Sequence, residues 1–380
     1  LDGLAKRVRA MGMEFGLWFE PEAVNPDSAL YRAHPDWALT EPGREPLLSR
    51  HELLLDLTKP QVRDYIVKSV SSVLDSAEIS YVKWDMNRPS CALGAKAHEY
   101  ILGLYDVLRR IFSSRPDVLL ESCASGGGRF DLGMLCFSPQ IWCSDDTDPV
   151  ERLDIQGGLS YLYPQSCMGA HVSAAPHAQT LRRTPLHTMG SAAFFGDLGY
   201  ELDLRELSPA EIREIKAQTA FYKAHRSVFQ FGEFTRLPAP EGRTGWQAQG
   251  EGKTLAAFFS GLTHAAPGYE KLCLAGLRED AVYKVESRPC SLRIGDFGGL
   301  IKYVSPVRLS PEGPVIRAAD RLVTMPDGGV SFTASGAALM SGFAPAARFT
   351  GAGYDKNARN QGDFGSELYI VTEAGHDKDR

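Results

Sequence analysis

The first 230 residues repeat one unit, and that repeat limits the fold more than any other feature. A short apolar, β-rich run ends in a polar or aromatic cluster, a helical pattern follows, and another such run begins. The runs are 14–19, 81–84, 118–122, 141–143, 169–173 and 193–195. Between them, Val62, Tyr65, Ile66, Val70, Val73 and Leu74 share one face at helical spacing, with Thr58-Lys59-Pro60 as the start. Ile101, Leu104, Tyr105, Leu108, Ile111 and Phe112 do the same. Asp148-Pro149-Val150-Glu151 reads as cap, first-turn proline and capping-box glutamate, and Ser208-Pro209-Ala210-Glu211 repeats it ahead of a helix reaching about Phe229. Such alternation implies parallel strands flanked by helices, either an open doubly wound sheet or a (β/α)8 barrel. Polar clusters at the end of nearly every strand, instead of at one switch point, favour the barrel. About six strands are legible where eight are needed. The other two are either hidden in the pattern or outside a chain that begins Leu1-Asp2-Gly3 and reads as cut from something longer.

After Phe231 helical periodicity gives way to short β-rich runs at 254–259, 281–285, 300–304, 322–324 and 367–372, separated by turns such as Pro311-Glu312-Gly313-Pro314 and Asp327-Gly328-Gly329. The expected architecture is α/β: an incomplete (β/α)8 TIM-type barrel over 1–230, a C-terminal antiparallel β-sandwich domain over 231–372 and a polar tail at 373–380.

Composition narrows the function. The net charge of −6 comes with no basic stripe, so nucleic acid is not an expected partner. No run approaches the ~18 apolar residues of a membrane span. Seven cysteines, an odd number with no CxxC pair, fit a reducing compartment, so a cytoplasmic location is expected. No metal-ligand spacing is visible, so no metal site is expected.

The strand ends carry the chemistry. Three of the five tryptophans, Trp18, Trp84 and Trp142, sit there beside carboxylates. An indole stacks on the C–H face of a pyranose, while Lys, Asp and Asn bind its hydroxyls, so Lys83 and Asn87 join the candidate sugar contacts. Two carboxylates across a glycosidic bond make the minimal glycosidase. Asp85 lies beside Lys83, whose charge is expected to keep it ionised. In the adjacent Asp145 and Asp146, mutual repulsion is expected to raise one pKa, as a general acid requires. Glu20 and Glu22 read equally as solvated loop charges or as partners of barrel arginines. Gly126-Gly127-Gly128 has the look of a phosphate loop but lacks the following Lys-Ser/Thr. Cys123 precedes that turn as an alternative nucleophile.

Gly16 through Glu22, Lys83-Trp-Asp-Met-Asn-Arg88, Glu121-Ser-Cys with Gly126-Gly-Gly-Arg-Phe-Asp131, and Trp142-Cys-Ser-Asp-Asp-Thr-Asp148 together resemble the α-galactosidases of glycoside hydrolase family 36, in order and spacing. Gly362-Asp363-Phe364-Gly365-Ser366 resembles that family's closing segment. The resemblance implies a retaining mechanism on terminal α-galactosides of melibiose or raffinose type, without cofactor. It implies Asp85 as nucleophile and Asp145 as acid/base. It implies Lys83, Cys123 and Gly126 as sugar contacts, Arg50 as a sugar-contacting arginine and Trp142 as an aromatic near the acid. It further implies a homo-oligomer, a tetramer among the options, and a preceding β-sandwich and two barrel strands that carry further sugar-binding acids. A transglycosidase of the same architecture and an inactive sugar-binding fragment are the alternative readings.

Overall fold

The computed structural model describes residues 1–40, 43–45, 48–87, 93–264, 270–301, 305–345 and 362–374. Arg88, Cys91, the 302–304 part of one expected strand and residues 375–380 of the tail lie outside the described residues. The chain forms two compact units, Leu1–Asp145 and Asp146–Arg380.

The first unit runs α1 (Asp2–Ala10), β1 (Gly16–Phe19), β2 (Ala23–Val24), α2 (Ala29–Ala33), β3 (Leu53–Leu54), α3 (Pro60–Leu74), β4 (Tyr81–Trp84), α4 (Ala97–Phe112), β5 (Leu119–Ser122), α5 (Leu132–Leu135) and β6 (Gln140–Trp142). Its strands pair in parallel in the order β1-β4-β5-β6, with Trp18 opposite Lys83, Lys83 opposite Glu121 and Glu121 opposite Gln140. Side chains alternate across a strand, so this row lies on one face. The other face carries Leu17, Phe19, Val82, Trp84, Leu120 and Ile141 into the core with α3 and α4. Pro60 opens α3 where no helical N–H partner is missed, and Val62, Ile66, Val70 and Leu74 form its buried stripe. Each such aliphatic side chain contributes about 1.5–3 kcal/mol on burial. In α4, Gly103 lets the helix approach α3's entry loop: a Cβ there would lie 2.2 Å from the Leu57 carbonyl oxygen.

The second unit holds α6 (Pro149–Leu159), β7 (Met168–Ser173), α7 (Leu186–Ala193), β8 (Asp197–Glu201) and α8 (Pro209–Phe231). β7 and β8 are parallel. Next come β9 (Glu233–Leu237), β10 (Arg243–Gly250), β11 (Lys253–Ser260), β12 (Val282–Ser287), β13 (Cys290–Leu292), β14 (Met325–Asp327), β15 (Ser331–Ser335) and β16 (Ser366–Glu373). Six of them make an antiparallel sheet in the order β15-β12-β16-β11-β10-β9, and β13 and β14 make a ribbon. The architecture is an incomplete (β/α)8 barrel followed by a C-terminal antiparallel β-sandwich domain. The change from parallel to antiparallel pairing falls after α8, but the unit boundary falls at Asp145. The reason is packing: Tyr222, Val228 and Phe229 of α8 share a core with Trp246, Leu255 and Phe259 of the antiparallel sheet.

Several expectations are corrected. Ala193 ends a helix, Phe194 caps it and Phe195 lies in the turn beyond; the strand is Asp197–Glu201, because a short apolar run reads alike as strand or buried helix end. Leu300 closes a 3-10 helix, Ile294–Leu300, in place of starting a strand. Leu322 ends the helix Pro314–Leu322, whose Pro314 sits in the first turn and whose Ile316 is buried, so helical periodicity does persist beyond Phe231. Asp148 caps α6 through Val150 N (3.0 Å), yet Glu151 does not close a capping box and pairs with Arg182 at 3.2 Å. The box at Ser208 and Glu211 is complete.

Candidate active site

The parallel ladder continues one step past the strands. Asp85 N donates to Phe19 O at 2.8 Å, and Cys123 N donates to Trp84 O at 2.8 Å. The backbones at the C-terminal ends of β4 and β5 are thereby fixed where a barrel collects its functional side chains. Asp85 is 5% exposed. Its Oδ2 accepts from Trp18 Nε1 (3.0 Å) and Asn87 Nδ2 (2.7 Å), and its Oδ1 accepts from Met86 N (2.8 Å). Burial pushes the Asp85 carboxyl up. Hydrogen bonds from the Cys123 thiol, Asn87, Trp18 and Met86 N–H outweigh it and hold the group below the usual carboxylate range. With a depressed folded pKa, the ionised group stabilises the fold above the unfolded pKa of about 3.9, and that contribution is lost as pH falls through the folded value.

These four donors, rather than the Lys83 charge, are the leading causes that keep Asp85 ionised. Lys83 Nζ pairs with Glu121 Oε1 at 3.1 Å and stands 4.8 Å from the Trp142 ring centroid. Burial pushes the Cys123 thiol far up, and the Asp85 hydrogen bond and charge push it further. It stays protonated and donates to Asp85, which removes it as a nucleophile.

Asp145 follows β6 and is exposed. Its Oδ1 accepts from Trp142 Nε1 at 3.0 Å. Asp146 turns its Oδ1 onto Asp148 N at 2.9 Å, so the two adjacent acids are used differently. Between Asp85 and Asp145 lies the turn after β5. Ser125 Oγ reaches Asn87 Oδ1 at 3.4 Å, and Gly126 lies against the Asp145 backbone. Gly126 has φ +82°, and a Cβ on it would lie 2.7 Å from Ser144 Cα and 2.8 Å from Asp145 N. Gly126→Ala is therefore expected to displace the Ser144–Asp145 backbone, checked by shifts of the Ser144 and Asp145 amide NMR signals beside an unchanged far-UV CD spectrum.

Two of the three tryptophans differ from their expected use as sugar platforms. Trp84 is fully buried because its neighbours Lys83 and Asp85 take the opposite face; its Nε1 donates to Glu22 Oε1 at 2.8 Å. Trp142 is 2% exposed and carries the Lys83 ammonium, leaving no open face for a sugar. Only Trp18 of the three is exposed, at 53%. Both glutamates left open pair with an arginine: Glu22 is fully buried, receives Arg129 Nη1 at 2.9 Å and also Tyr100 OH at 2.7 Å. Glu20 Oε1 accepts from Asn87 N at 3.0 Å and lies 3.4 Å from Arg50 Nη1. Arg50 and His51 both have positive φ (52° and 62°) inside the Ser49–Glu52 turn, a strained backbone that holds the exposed arginine. Sequence reasoning missed Glu121 as the partner of Lys83, and Glu20 as the acceptor of the Asn87 main-chain N–H. For Glu121 the alternation that puts it in the Lys83 row was an available signal.

Among the described residues no group of three or more His, Cys, Asp or Glu is arranged to hold a metal ion, and no helix is long and apolar enough to cross a membrane.

A barrel-type parallel sheet with a buried carboxylate after one strand and an exposed one two strands on places two acids at the end where such barrels collect their functional side chains. The sequence model of the Melibiase family matches residues 1–232, more than half of the chain, and the chain belongs to that family. It is 46% identical over 313 residues to the alpha-galactosidase AgaA of Geobacillus stearothermophilus, a match that covers 79% of this chain and 42% of that protein. It is 43% identical over 297 residues to the alpha-galactosidase Mel36A of Lactobacillus acidophilus, covering 75% of this chain and 41% of that protein. Solved structures agree: a GH36 AgaA variant in complex with raffinose aligns with a TM-score of 0.78 and 39% identity over 98% of this chain and 46% of that one. The resemblance to glycoside hydrolase family 36 holds across the chain, which spans less than half the length of these relatives.

Proposed function

We propose that the protein releases terminal α-linked galactose from oligosaccharides of the melibiose and raffinose type, with retention. Asp85 attacks the anomeric carbon as the glycosidic C–O bond breaks, and Asp145, in its protonated form, gives its proton to the leaving oxygen. Water then attacks the galactosyl–Asp85 ester and yields its proton to Asp145, freeing galactose and restoring both groups. The observation that carries this reading is the environment of Asp85: a buried carboxylate kept charged by four donors, as a nucleophile must be. Trp18, Asn87 and Cys123 hydrogen-bond Asp85, Gly126 lies against the Asp145 backbone, Arg50 and Lys83 are the cations offered to the sugar, and the raffinose complex of AgaA supports the substrate class.

The test is a panel of aryl glycosides given to the complete protein, with NMR of the first-formed sugar. The aryl α-galactoside is expected to exceed the α-glucoside and β-galactoside at least about 100-fold in kcat/KM, and α-galactose is expected first. Preference for gluco- or β-linked substrates overturns the substrate; initial β-galactose overturns retention.

A further inference from the structure

One buried carboxylate beneath the site has no part in the reaction just described. Glu121 stands at the middle of the site-facing row of β4, β5 and β6 and is 2% exposed. It accepts from the Tyr81 hydroxyl, lies 3.5 Å from Gln140 Nε2, and pairs with Lys83 Nζ at 3.1 Å. That ammonium is held over the Trp142 ring, whose Nε1–H points at Asp145 Oδ1 at 3.0 Å. The contacts form one unbroken path: Tyr81, Glu121, Lys83, Trp142, Asp145.

We propose that Glu121 is a positioning residue for Asp145, acting through Lys83 and Trp142. The inference rests on the reading of Asp145 as acid/base. The physical argument is one of placement and polarisation. A lysine ammonium on a four-carbon stem has many positions open to it, and a buried counter-charge selects one. In that position the cation lies against the indole π face, where it draws electron density from the ring and strengthens the N–H as a donor. The N–H in turn fixes which way the Asp145 carboxyl faces. Glu121→Gln keeps the size and an acceptor for Tyr81 but removes the charge, so Lys83 loses its fixed place over Trp142.

The readout is the ratio of kcat/KM on a dinitrophenyl α-galactoside to that on melibiose. A uniform loss of sugar binding cancels in this ratio, whereas a misaligned acid raises it, since only the poor leaving group needs the proton. Glu121→Gln in the complete protein is expected to raise the ratio at least about fivefold. The 15N-indole signal of Trp142, identified by its loss in Trp142→Phe, is expected to shift in the same variant. If Glu121→Gln does not fold, Tyr81→Phe removes only the hydroxyl donor to Glu121 and is expected to move ratio and signal the same way, by less. Asp145→Asn separates the two readings. Equal losses on both substrates there overturn Asp145 as acid/base, and this proposal with it. A raised ratio in Asp145→Asn, with neither the ratio nor the indole signal moved in the folded Glu121 or Tyr81 variant, overturns the proposal alone.

Discussion

Replacing Asp85 by Asn is expected to lower kcat/KM on an aryl α-galactoside by about four to six orders of magnitude while leaving the fold intact. The amide has the shape of the carboxylate but a single acceptor oxygen, so it keeps either the Met86 N contact or those from Trp18 and Asn87; the main-chain bond from residue 85 N to Phe19 O, which the substitution leaves alone, still places it at the end of β4. What is lost is the charge. An amide oxygen does not form a galactosyl ester that water can later cleave, and the charge that balances a developing oxocarbenium ion is gone. Asp85→Ala supplies the complementary result: added azide is expected to restore turnover and give β-galactosyl azide, because the small anion enters from the face Asp85 vacated. A near-normal rate in Asp85→Asn, or an α-configured azide, removes the nucleophile assignment. The same environment predicts the pH behaviour. With Asp85 held below the usual carboxylate range, the acidic limb of kcat/KM that it governs lies below that range.

The strand ends were legible in the sequence because they follow from a period of two and a polar cluster at each C-terminus. Asp85, Asn87 and Cys123 meet at the ends of adjacent strands, with the ladder extended to the backbones of Asp85 and Cys123. Partner choice was less legible. Lys83 is two residues from Asp85 and shares its face, yet its ammonium goes sideways to Glu121 on the next strand. Linear proximity says which face a charge occupies, not which neighbour across the sheet it meets. Trp84 was readable in principle: placing Lys83 and Asp85 in the site sends the residue between them to the helices. Trp142 was not, since alternation puts it in the same site-facing row as Gln140, where the sequence does not show the Lys83 ammonium over its ring. Among the elements, the helix Leu186–Ala193 escaped because its Gly190, Ser191 and alanines are small and buried on every side, which erases the amphipathic stripe.

The largest effect on stability is expected at Glu22, a residue that touches no substrate in the proposed reaction. Its carboxylate receives the indole of Trp84 (2.8 Å), the phenol of Tyr100 (2.7 Å) and the guanidinium of Arg129 (2.9 Å) with no exposure to water. Burial pushes the Tyr100 phenol well up, and the charge of Glu22 adds to that, so it remains a donor. Burial works against the Arg129 charge, but Glu22 outweighs it and the guanidinium stays protonated. Three segments therefore converge on the carboxylate that the loop after β1 carries: the end of β4, α4 and the stretch after the glycine turn that follows β5. Glu22→Leu leaves a buried cation unpaired, a loss of about 3–5 kcal/mol. It also strands two donors, each costing about 1–3 kcal/mol. Against a total of about 5–15 kcal/mol for a folded domain, the single variant is expected to unfold at much lower urea or not to fold. Converting both charges, Glu22→Leu with Arg129→Met, removes the unpaired cation and is expected to recover a substantial part of the loss, because well-packed apolar replacements of a buried ion pair are often neutral. Urea unfolding midpoints of the single and double variants decide it. If Glu22→Leu keeps the parent midpoint, or if the double variant is no better than the single, the carboxylate is not what joins these three segments.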